Sequence, residues 1–424
     1  MTTITISPSA LTGSVTVPSS KSMGHRALIC AALAEGESRV ERVSVSKDIE
    51  ATKRCLEALG AVIREEPDTD GRMAFTVKGQ RPSQHSPLMD CGESGSTLRF
   101  LIPLAAVDGN TYFFNGGGKL GSRPLTPYET IFKQQGLVFR YGSENHFPLT
   151  VRGPLQSGKF SVPGNVSSQF ISGLLFTLPL LAGDSTLEIT GTLESQSYIA
   201  LTLSALKAYG ITINQEDRMH YRIPGDQHYR PRQGPVEGDF SQAAFWLVAG
   251  ALGRALTVKG TDAESLQGDR AILPILKKMG ASLTQGEDGI TSREAVLTGT
   301  TIDVSDCPDL VPVLSVAAAL AKGHTDIIHA ERLRLKECDR LKAMATELNK
   351  IGAHITERPD GLSIDGVDHF TGGTVDSWND HRVAMSLAVA SIGCSAPLVI
   401  TGAESVSKSY PAFWQDFAAV GGKI

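Results

Sequence analysis

The sequence lacks any apolar stretch long enough to cross a membrane, and it lacks the start of a secretory signal. Its longest apolar runs, such as residues 245–252, are much shorter than the roughly 20 residues of a membrane-spanning helix. The first eighteen residues alternate apolar and polar side chains, whereas a signal peptide has a charged start and an unbroken apolar core. We therefore expect a cytoplasmic protein with no membrane attachment.

Paired metal-binding residues and nucleotide-binding motifs are lacking as well. The six cysteines are scattered and form no CxxC pair, which argues against a zinc site or a disulfide framework and favours reduced thiols. No Walker A motif occurs, and no GxGxxG follows a predicted strand. The sequence therefore disfavours ATP and dinucleotide chemistry.

A surplus of positive charge is the third feature that the sequence lacks. It has 40 basic and 45 acidic residues and a net charge of −5, so it does not resemble a general nucleic-acid binder. Any basic cluster must be local, which suits a small anionic ligand. The 424 residues are 41% hydrophobic and 20% charged, which is ordinary for a globular protein of two or three domains.

The sequence does contain a long internal repeat. Six predicted helices end at a glycine followed by a short β-like run, and neighbouring glycines lie 69 to 76 residues apart. Each repeat reads as a strand, a small or polar cluster, an apolar helix, a strand and a second helix that ends at the glycine. We place residues 14–18 at the start of the first repeat and residues 234–239 at the start of the fourth. The six glycines are Gly60, Gly136, Gly210, Gly280, Gly352 and Gly421.

This repeat predicts an α/β protein of two domains with three repeats each, divided near residues 235–238. The first helix of each repeat is apolar nearly all round, as in residues 174–181 and 313–320, so we expect it to be buried. The second helices have the amphipathic pattern of outer helices. Each closing glycine is the residue expected at a helix C-terminus with left-handed backbone.

Small or polar residues mark the six points where a predicted strand meets a buried helix. The N–H groups of a helix start can hold an anion, but such residues also cap helices, and at any single junction capping is the simpler interpretation. The first junction differs, because Lys21, Ser22 and Arg26 place two cations in the first turns. Cations are unfavourable there unless an anion joins them.

Further basic residues occupy unusual positions. Arg123 lies in a glycine-rich loop, Arg382 begins a buried apolar helix, and Lys408 precedes the last helix. We predict a helix that opens at Lys336, on which Lys336 and Arg340 share a face; a plain solvated face is the alternative.

Two carboxylates lie among these cations. Asp309 is predicted at a helix start and Glu337 between Lys336 and Arg340, so they are candidates for acid–base chemistry. The alternatives are that Asp309 only caps its helix and that Glu337 only forms an ion pair.

Taken together, these motifs resemble the 5-enolpyruvylshikimate-3-phosphate synthase family of enolpyruvyl transferases. The resemblance runs in order from the first strand to the last helix. The motifs are PSSKSMGHRALICAALAEG (18–36), GESGSTLRF (92–100), SRPL (122–125), SSQF (167–170), EGDFSQAAFW (237–246), PDL (308–310), LKECDRL (335–341), NDHRVAM (379–385) and KSYPAF (408–413).

The resemblance implies an inside-out α/β barrel in each of two similar domains, each made of three βαβαββ repeats. Residues 19–236 would form the first domain, which mainly binds shikimate 3-phosphate. Residues 1–18 with 237–424 would form the second, with the catalytic carboxylates and part of the phosphoenolpyruvate site. The two would close on their substrates around a hinge. The implied protein is a monomer.

The implied reaction transfers the enolpyruvyl group of phosphoenolpyruvate to the 5-hydroxyl of shikimate 3-phosphate and releases phosphate, by addition and elimination. It belongs to the shikimate pathway to chorismate and the aromatic amino acids, it uses no metal or cofactor, and the family is the target of glyphosate. In this role Asp309 would be the base for the hydroxyl, while Glu337 and Lys21 would transfer the other protons, in an order that stays open.

The resemblance also implies which residues bind each substrate. Shikimate 3-phosphate would be held by Lys21, Ser22, Arg26, Ser167, Ser168, Gln169, Ser195, Asp309 and Lys336. Phosphoenolpyruvate would be held by Lys21, Gly95, Arg123, Gln169, Arg340, Arg382 and Lys408.

The sequence departs from the family pattern at five positions, which leaves glyphosate sensitivity open. These are Ser19, Glu93, Ser96, Arg332 and Cys338. Glu93 stands where asparagine is common, and we expect its side chain to point away from the phosphoenolpyruvate site. Because Arg332 stands where some members have a substrate-contacting asparagine, that contact is not transferred.

Three alternatives stay in view. The sister enzyme, UDP-N-acetylglucosamine enolpyruvyl transferase, usually has a reactive cysteine in its mobile loop, where this sequence has Lys119 and no cysteine. A catalytically dead anion-binding homologue would not need Lys21, Asp309 and Glu337 together. An RNA-end-processing enzyme with related repeats would need ATP chemistry, for which there is no motif.

Overall fold

The computed structural model describes residues 2–68, 72–79, 87–142, 146–287 and 289–424. The chain forms two compact units, and we describe each by itself. The first unit is Ser19–Val236, and the second unit combines Met1–Pro18 with Glu237–Ile424. No helix in the described residues is long and apolar enough to span a membrane.

Both units consist of short strands that alternate with helices, as the repeat predicts. The chain begins in the second unit with β1 (Thr3–Ile6) and β2 (Gly13–Thr16). The first unit then contains α1 (Lys21–Leu33), β3 (Glu37–Val43), α2 (Lys47–Ala58), β4 (Val62–Pro67), β5 (Met73–Lys78), β6 (Leu88–Asp90), α3 (Gly95–Ala105), β7 (Thr111–Asn115), α4 (Thr126–Gln134), β8 (Val138–Arg140), β9 (Leu149–Arg152), β10 (Lys159–Pro163), α5 (Ser168–Thr177), β11 (Ser185–Thr190), α6 (Gln196–Ala208), β12 (Asn214–Gln215), β13 (His220–Ile223) and β14 (Gln233–Pro235).

The remaining elements belong to the second unit. They are α7 (Phe240–Leu252), β15 (Leu256–Lys259), α8 (Ile272–Lys278), β16 (Ser282–Gly286), β17 (Gly289–Arg293), β18 (Thr301–Asp303), α9 (Val311–Ala319), β19 (His324–Ile328), α10 (Arg340–Lys350), β20 (His354–Arg358), β21 (Gly361–Asp365), β22 (Gly373–Asp376), α11 (His381–Ala390), β23 (Leu398–Thr401) and α12 (Phe413–Ala419). Short 3-10 helices connect several of them, such as Leu120–Ser122, Gly268–Ala271, Pro308–Leu310, Glu331–Leu335 and Ala403–Lys408.

Each repeat forms one small sheet with the same pairing pattern. Each sheet has one parallel pair, and its remaining pairs are antiparallel. In four of the sheets the parallel pair joins the strand before the buried helix to the strand after it. The orders in the first unit are β14-β3-β5-β4, β6-β7-β9-β8 and β10-β11-β13-β12. Those in the second unit are β16-β17-β15-β2, β18-β19-β21-β20 and β1-β23-β22. The predicted α/β fold class is confirmed.

Two repeats exchange their first strands. β2 pairs in parallel with β15 of the fourth repeat, and β14 pairs in parallel with β3 of the first repeat. The assignment of residues 14–18 to the first repeat and 234–239 to the fourth is therefore wrong, because strand pairing does not follow sequence order here. In the last sheet β1 is antiparallel to β23, so the N-terminus completes the sixth repeat.

The six predicted closing glycines all end a helix in the same way. Their φ angles lie between 69° and 101°, a region that only glycine enters at little cost. In each case the next residue donates its N–H to the carbonyl five residues back, as in a Schellman motif. These bonds are Ala61 to Leu56, Leu137 to Phe132, Ile211 to Leu206, Ala281 to Leu276, Ala353 to Leu348 and Gly422 to Phe417.

The first helix of five of the six repeats lies in the core of its unit. Every residue of α9 and α11 is buried, as is almost all of α7, so these helices contact apolar neighbours all round. In the first unit α3 and α5 are equally buried. The prediction of buried helices is confirmed for these five, whereas only seven of the 13 residues of α1 are buried. The polar clusters lie at the N-termini of these helices.

Candidate active site

Side-chain capping accounts for five of the six helix starts. The capping residues are Ser20, Ser94, Ser167, Asp239 and Asp380, and each accepts a backbone N–H of the first turn. The sixth start has Cys307 at the capping position and no side-chain cap. The interpretation of Asp309 as a cap is therefore wrong.

In the first unit, Lys21 begins α1 and has a carboxylate partner. Its ammonium lies 2.7 Å from Asp48 of α2, and both side chains are mostly buried. No sequence pattern predicted this partner, because Asp48 is 27 residues away and lies in an ordinary polar helix start.

Arg26 is buried in the same helix and ties α1 to α6. Its guanidinium donates to Thr202 Oγ1 at 2.9 Å, to the Tyr198 carbonyl at 2.9 Å and to the Ser22 carbonyl at 2.7 Å. Its Cζ also lies 5.2 Å from the centre of the Phe100 ring. Burial lowers the pKa of Arg26 to about 10, so the side chain stays charged at neutral pH.

A second cluster forms where α3 and α5 begin. A Cβ at Gly95 would lie 2.9 Å from Arg123 Nη1 and 3.5 Å from Gln169 Oε1, so these three predicted residues converge. Gln169 accepts from Arg99 at 2.8 Å and donates to Ser96 Oγ at 2.9 Å. Arg99 was not predicted. It lies inside an apolar helix, where spacing alone gives it no distinguishing mark.

The predicted serines lie at the adjacent helix starts. Ser167 caps α5, Ser168 is the first residue of that helix, and both adjoin Gln169. Ser195 precedes α6 with φ 55° and ψ 43°, and only 3% of it is exposed. A left-handed residue other than glycine at the start of a helix is uncommon and typical of functional sites.

Glu93 lies against the glycine-rich loop. A Cβ at Gly118 would come 2.5 Å from Glu93 Oε2, so the carboxylate occupies the space above that glycine. The Glu93 carboxylate packs closely against Gly118, and any residue larger than glycine at position 118 would collide with it.

In the second unit, one buried arginine joins three carboxylates. Arg340 is 1% exposed, and its guanidinium donates to Asp309 at 2.9 Å, to Glu337 at 2.8 Å and to Asp380 at 2.8 Å. The thiol of Cys338 also donates to Asp380, at 3.6 Å. The predicted ion pair of Glu337 is confirmed, but the role of Asp380 was missed because it lies 40 residues from Arg340.

Two more cations surround Asp309. Arg382 Nη2 lies 2.9 Å from one of its oxygens, and Lys336 Nζ lies 3.5 Å from the other. Burial alone would raise the pKa of Asp309, but the charges of Arg382, Lys336 and Arg340 outweigh it. They hold this pKa well below its ordinary value, so the carboxylate is ionised at neutral pH.

The prediction that one helix carries Lys336, Glu337 and Arg340 is wrong. A 3-10 helix ends at Leu335, Lys336 has extended backbone, and α10 begins only at Arg340. The reason is Asp339, which caps α10 by accepting the Lys342 N–H at 3.1 Å. Lys336 and Arg340 still meet, because both contact Asp309.

Lys408 ends the 3-10 helix Ala403–Lys408 and is 7% exposed. Its ammonium donates to the Asn379 carbonyl at 2.8 Å. Arg382, three residues further along, was predicted to begin a buried helix and is the second residue of α11. Lys408 and Arg382 are thus linked through one short segment of chain.

A further buried carboxyl group, Asp269, was not predicted. It is 3% exposed and accepts a hydrogen bond from Ser241 at the start of α7. Burial, and then the negative charge of Asp309, raise the pKa of Asp269 to about 7. At neutral pH the same region therefore holds one ionised carboxyl group and one that is partly protonated, a pattern common at acid–base sites.

Comparisons with known proteins agree with one family. The model of the family described as EPSP synthase (3-phosphoshikimate 1-carboxyvinyltransferase) matches residues 6–417. The 3-phosphoshikimate 1-carboxyvinyltransferase of Clostridium kluyveri is 50% identical over 99% of this chain and 98% of its own. The solved EPSP synthase of Acinetobacter baumannii is 26% identical, with a TM-score of 0.80 over 99% of this chain and 98% of its own.

A more distant solved structure supports the fold only. The enolpyruvyl transferase NikO from Streptomyces tendae is 17% identical and has a TM-score of 0.80 over 99% of this chain and 97% of its own.

Proposed function

The chain belongs to the EPSP synthase family, and on that premise we propose that it transfers the enolpyruvyl group of phosphoenolpyruvate to the 5-hydroxyl of shikimate 3-phosphate. It is a 3-phosphoshikimate 1-carboxyvinyltransferase, a transferase of the shikimate pathway. One observation carries the proposal best: an ionised carboxylate, Asp309, lies within 3.5 Å of three cations. Such a group suits a base that works beside anionic substrates.

We propose that shikimate 3-phosphate is bound by the hydroxyls and cations of the helix starts together with Asp309. N–H groups, hydroxyls and ammonium groups are good partners for phosphate oxygens. The buried, internally bonded Arg26 would act mainly by holding the helix starts at α1 and α6, with its charge adding to the local field. The residues assigned are Lys21, Ser22, Arg26, Ser167, Ser168, Gln169, Ser195, Asp309 and Lys336.

We assign phosphoenolpyruvate to the arginines and to the glycine that leaves them room. Arginine binds carboxylate and phosphate oxygens in pairs, and Gly95 has no side chain to crowd the Arg123 guanidinium, which a Cβ there would approach to 2.9 Å. The residues assigned are Lys21, Gly95, Arg123, Gln169, Arg340, Arg382 and Lys408.

The reaction in this proposal has two steps. In the addition, the 5-oxygen of shikimate 3-phosphate bonds to C2 of phosphoenolpyruvate, its proton passes to Asp309, and C3 gains a proton to become a methyl group. In the elimination, the bond from C2 to the phosphate oxygen breaks, and C3 loses a proton to restore the methylene. Glu337 and Lys21 are the candidates for the proton transfers at C3 and at the phosphate.

Substrate binding would itself make Asp309 a better base. Without substrate, Arg340 and Arg382 both bind its oxygens, and an arginine so placed stabilises the charged form. A phosphoenolpyruvate that takes hydrogen bonds from these arginines adds negative charge near Asp309. Both effects raise the pKa of Asp309 toward the range in which general base catalysis is effective.

We also propose that the enzyme works in the cytoplasm as a monomer, because no part of the proposed reaction needs a second copy or a membrane.

The proposal is tested by phosphate release from the purified protein. We expect release from phosphoenolpyruvate when shikimate 3-phosphate is added, and none with either substrate alone. Release with UDP-N-acetylglucosamine in place of shikimate 3-phosphate would instead indicate the sister activity. Absence of release in every mixture, from protein that is folded by circular dichroism, would indicate an inactive anion-binding protein.

A further inference from the structure

A strained turn lies directly before the Asp380–Arg382 segment. The Asp380 N–H donates to the Ser377 carbonyl at 2.9 Å, and the two residues enclosed by this bond, Trp378 and Asn379, have φ angles of 54° and 52°. Turns with two left-handed central residues favour glycine, asparagine and aspartate. Asn379 fits that pattern, whereas a bulky tryptophan in this conformation is a costly outlier.

The turn has an unusual anchor on α10. Glu347 is 1% exposed, and its carboxylate accepts from the Trp378 indole N–H at 2.7 Å and from the Asp376 N–H at 2.9 Å. Lys350 donates to both oxygens of Glu347, at 2.9 and 2.7 Å, and so supplies its counter-charge. A buried carboxylate with this many donors is a rigid attachment point, because moving the turn would leave charge unpaired.

The same helix holds the turn from both ends. Arg340 lies seven residues before Glu347, about two helical turns, so both side chains point to one side of α10. Arg340 binds Asp380 just after the turn, and Glu347 binds Trp378 within it. Asn379 lies between Trp378 and Asp380, and its carbonyl accepts a hydrogen bond from the Lys408 ammonium at 2.8 Å.

We propose that Glu347 is a positioning residue: through Trp378 it holds the strained turn that sets the Asn379 carbonyl, and that carbonyl fixes the Lys408 ammonium for phosphoenolpyruvate. The inference deepens the proposed function and rests on the role assigned there to Lys408. Neither Glu347 nor Trp378 needs to touch a substrate. Strain of this kind persists where the surroundings enforce it, which Glu347 does here.

Two substitutions of one residue separate positioning from ordinary packing. Trp378→Phe keeps a ring but removes the indole donor and leaves a bulky residue in a left-handed conformation without its anchor. Trp378→Gly removes more contact area, since the ring packs against the core of the second unit, but it makes the left-handed conformation easy. Positioning and packing therefore predict opposite orders of damage.

We expect Trp378→Phe to raise the KM for phosphoenolpyruvate by about tenfold, equivalent to about 1.4 kcal/mol, with a much smaller change for shikimate 3-phosphate. Trp378→Gly should unfold at a lower temperature than Trp378→Phe and yet have a KM for phosphoenolpyruvate closer to that of the wild type. If the KM values follow the order of the unfolding temperatures, or do not change, the inference is wrong.

Glu347→Gln and Tyr229→Phe complete the set. The two carboxylate oxygens of Glu347 accept from the Trp378 indole N–H and from the Asp376 N–H, whereas the glutamine amide has only one oxygen for both. Glu347→Gln should therefore also raise the KM for phosphoenolpyruvate. This variant tests the inference even if Trp378→Gly does not fold. Tyr229 is the matched control, because its hydroxyl donates to the buried Phe176 carbonyl at 2.7 Å in the first unit. Tyr229→Phe should lower the unfolding temperature and leave both KM values unchanged.

Amide exchange separates this inference from the proposed function. Exchange of the Asp380 N–H reports directly on closure of the turn, and we expect Trp378→Phe to accelerate it more than Trp378→Gly does. If wild-type protein releases no phosphate while exchange follows this order, the proposed function is wrong but Glu347 does hold the turn through Trp378. If turnover is normal and exchange is the same in all variants, the positioning role of Glu347 is wrong and the proposed function is unaffected.

Discussion

Replacing Arg340 tests whether one buried cation holds the second unit's charged cluster together. Arg340→Met keeps much of the side-chain length and removes the charge. Asp309 would keep Arg382 and Lys336, but Asp380, which is fully buried, would lose its contacts to Nε at 2.8 Å and to Nη2 at 3.3 Å. Removing one partner of a buried ion pair costs about 3–5 kcal/mol.

The size of this loss sets the expected unfolding temperature. For a unit of this size, 1 kcal/mol corresponds to about 2–4 °C, so Arg340→Met should unfold about 6–20 °C below the wild type at pH 8. Burial would raise the pKa of Asp380, but Arg340 lowers it below its ordinary value. The stability from that pairing is present above the unfolded pKa and is lost as pH falls through the folded one.

This wild-type pairing is intact at both pH 8 and pH 5. In Arg340→Met, burial without the arginine raises the pKa of Asp380, so acidification protonates the unpaired carboxylate and the deficit of the variant should shrink. Thermal unfolding followed by circular dichroism at pH 8 and at pH 5 measures the difference in unfolding temperature between Arg340→Met and the wild type. Arg358→Met is the control, since Arg358 forms a half-exposed pair with Asp326 at 3.3 Å, and such pairs contribute about 0–1 kcal/mol. The reasoning would be refuted if Arg340→Met lowered the unfolding temperature no more than Arg358→Met does. It would also be refuted if the lowering were the same at pH 8 and pH 5.

Three other substitutions probe the site. Asp309→Asn should lower kcat by roughly 10²–10⁴-fold, the usual contribution of acid–base catalysis, without raising the KM for phosphoenolpyruvate; near-normal kcat would remove Asp309 from the base role. The folded protein keeps a proton on Asp269 up to about pH 7, whereas the unfolded chain loses it near pH 4. Asp269→Asn should thus gain stability relative to wild type as pH rises from 4 to 7, by at most about 4 kcal/mol; a difference in melting temperature that does not vary with pH would count against this. Gly95→Ala should raise the KM for phosphoenolpyruvate more than that for shikimate 3-phosphate, because the new methyl would displace the Arg123 guanidinium; equal changes in steady-state KM would argue against contact there.

Local features of the fold could be predicted because local chemistry causes them. Each closing glycine is required by the left-handed backbone at its own position, so the repeat was visible without any contact information. The buried helices were equally visible from their composition. The repeat pattern did not show the strand exchange, since β2 and β14 have ordinary sequences and their partners are chosen by the tertiary structure. Only the family resemblance implied it, by placing residues 1–18 in the second domain.

The candidate site was predictable in its residues more than in its contacts. The cations stood out because a charge at the start of an apolar helix has no structural reason to be there, as with Arg382. Lys336 was placed on the wrong element because the cap at Asp339 shortens α10. Asp48 and Asp380 were missed because an ion pair between residues 27 or 40 positions apart leaves no pattern in sequence.

The identity of the product tests the proposed function most directly. Protein incubated with equal amounts of phosphoenolpyruvate and shikimate 3-phosphate should form inorganic phosphate and one new enol ether in equal amounts, with the ether oxygen at position 5 by ¹³C nuclear magnetic resonance. Phosphate released without the ether would indicate simple hydrolysis, and an ether at another hydroxyl would contradict the assigned roles of Asp309 and its neighbours.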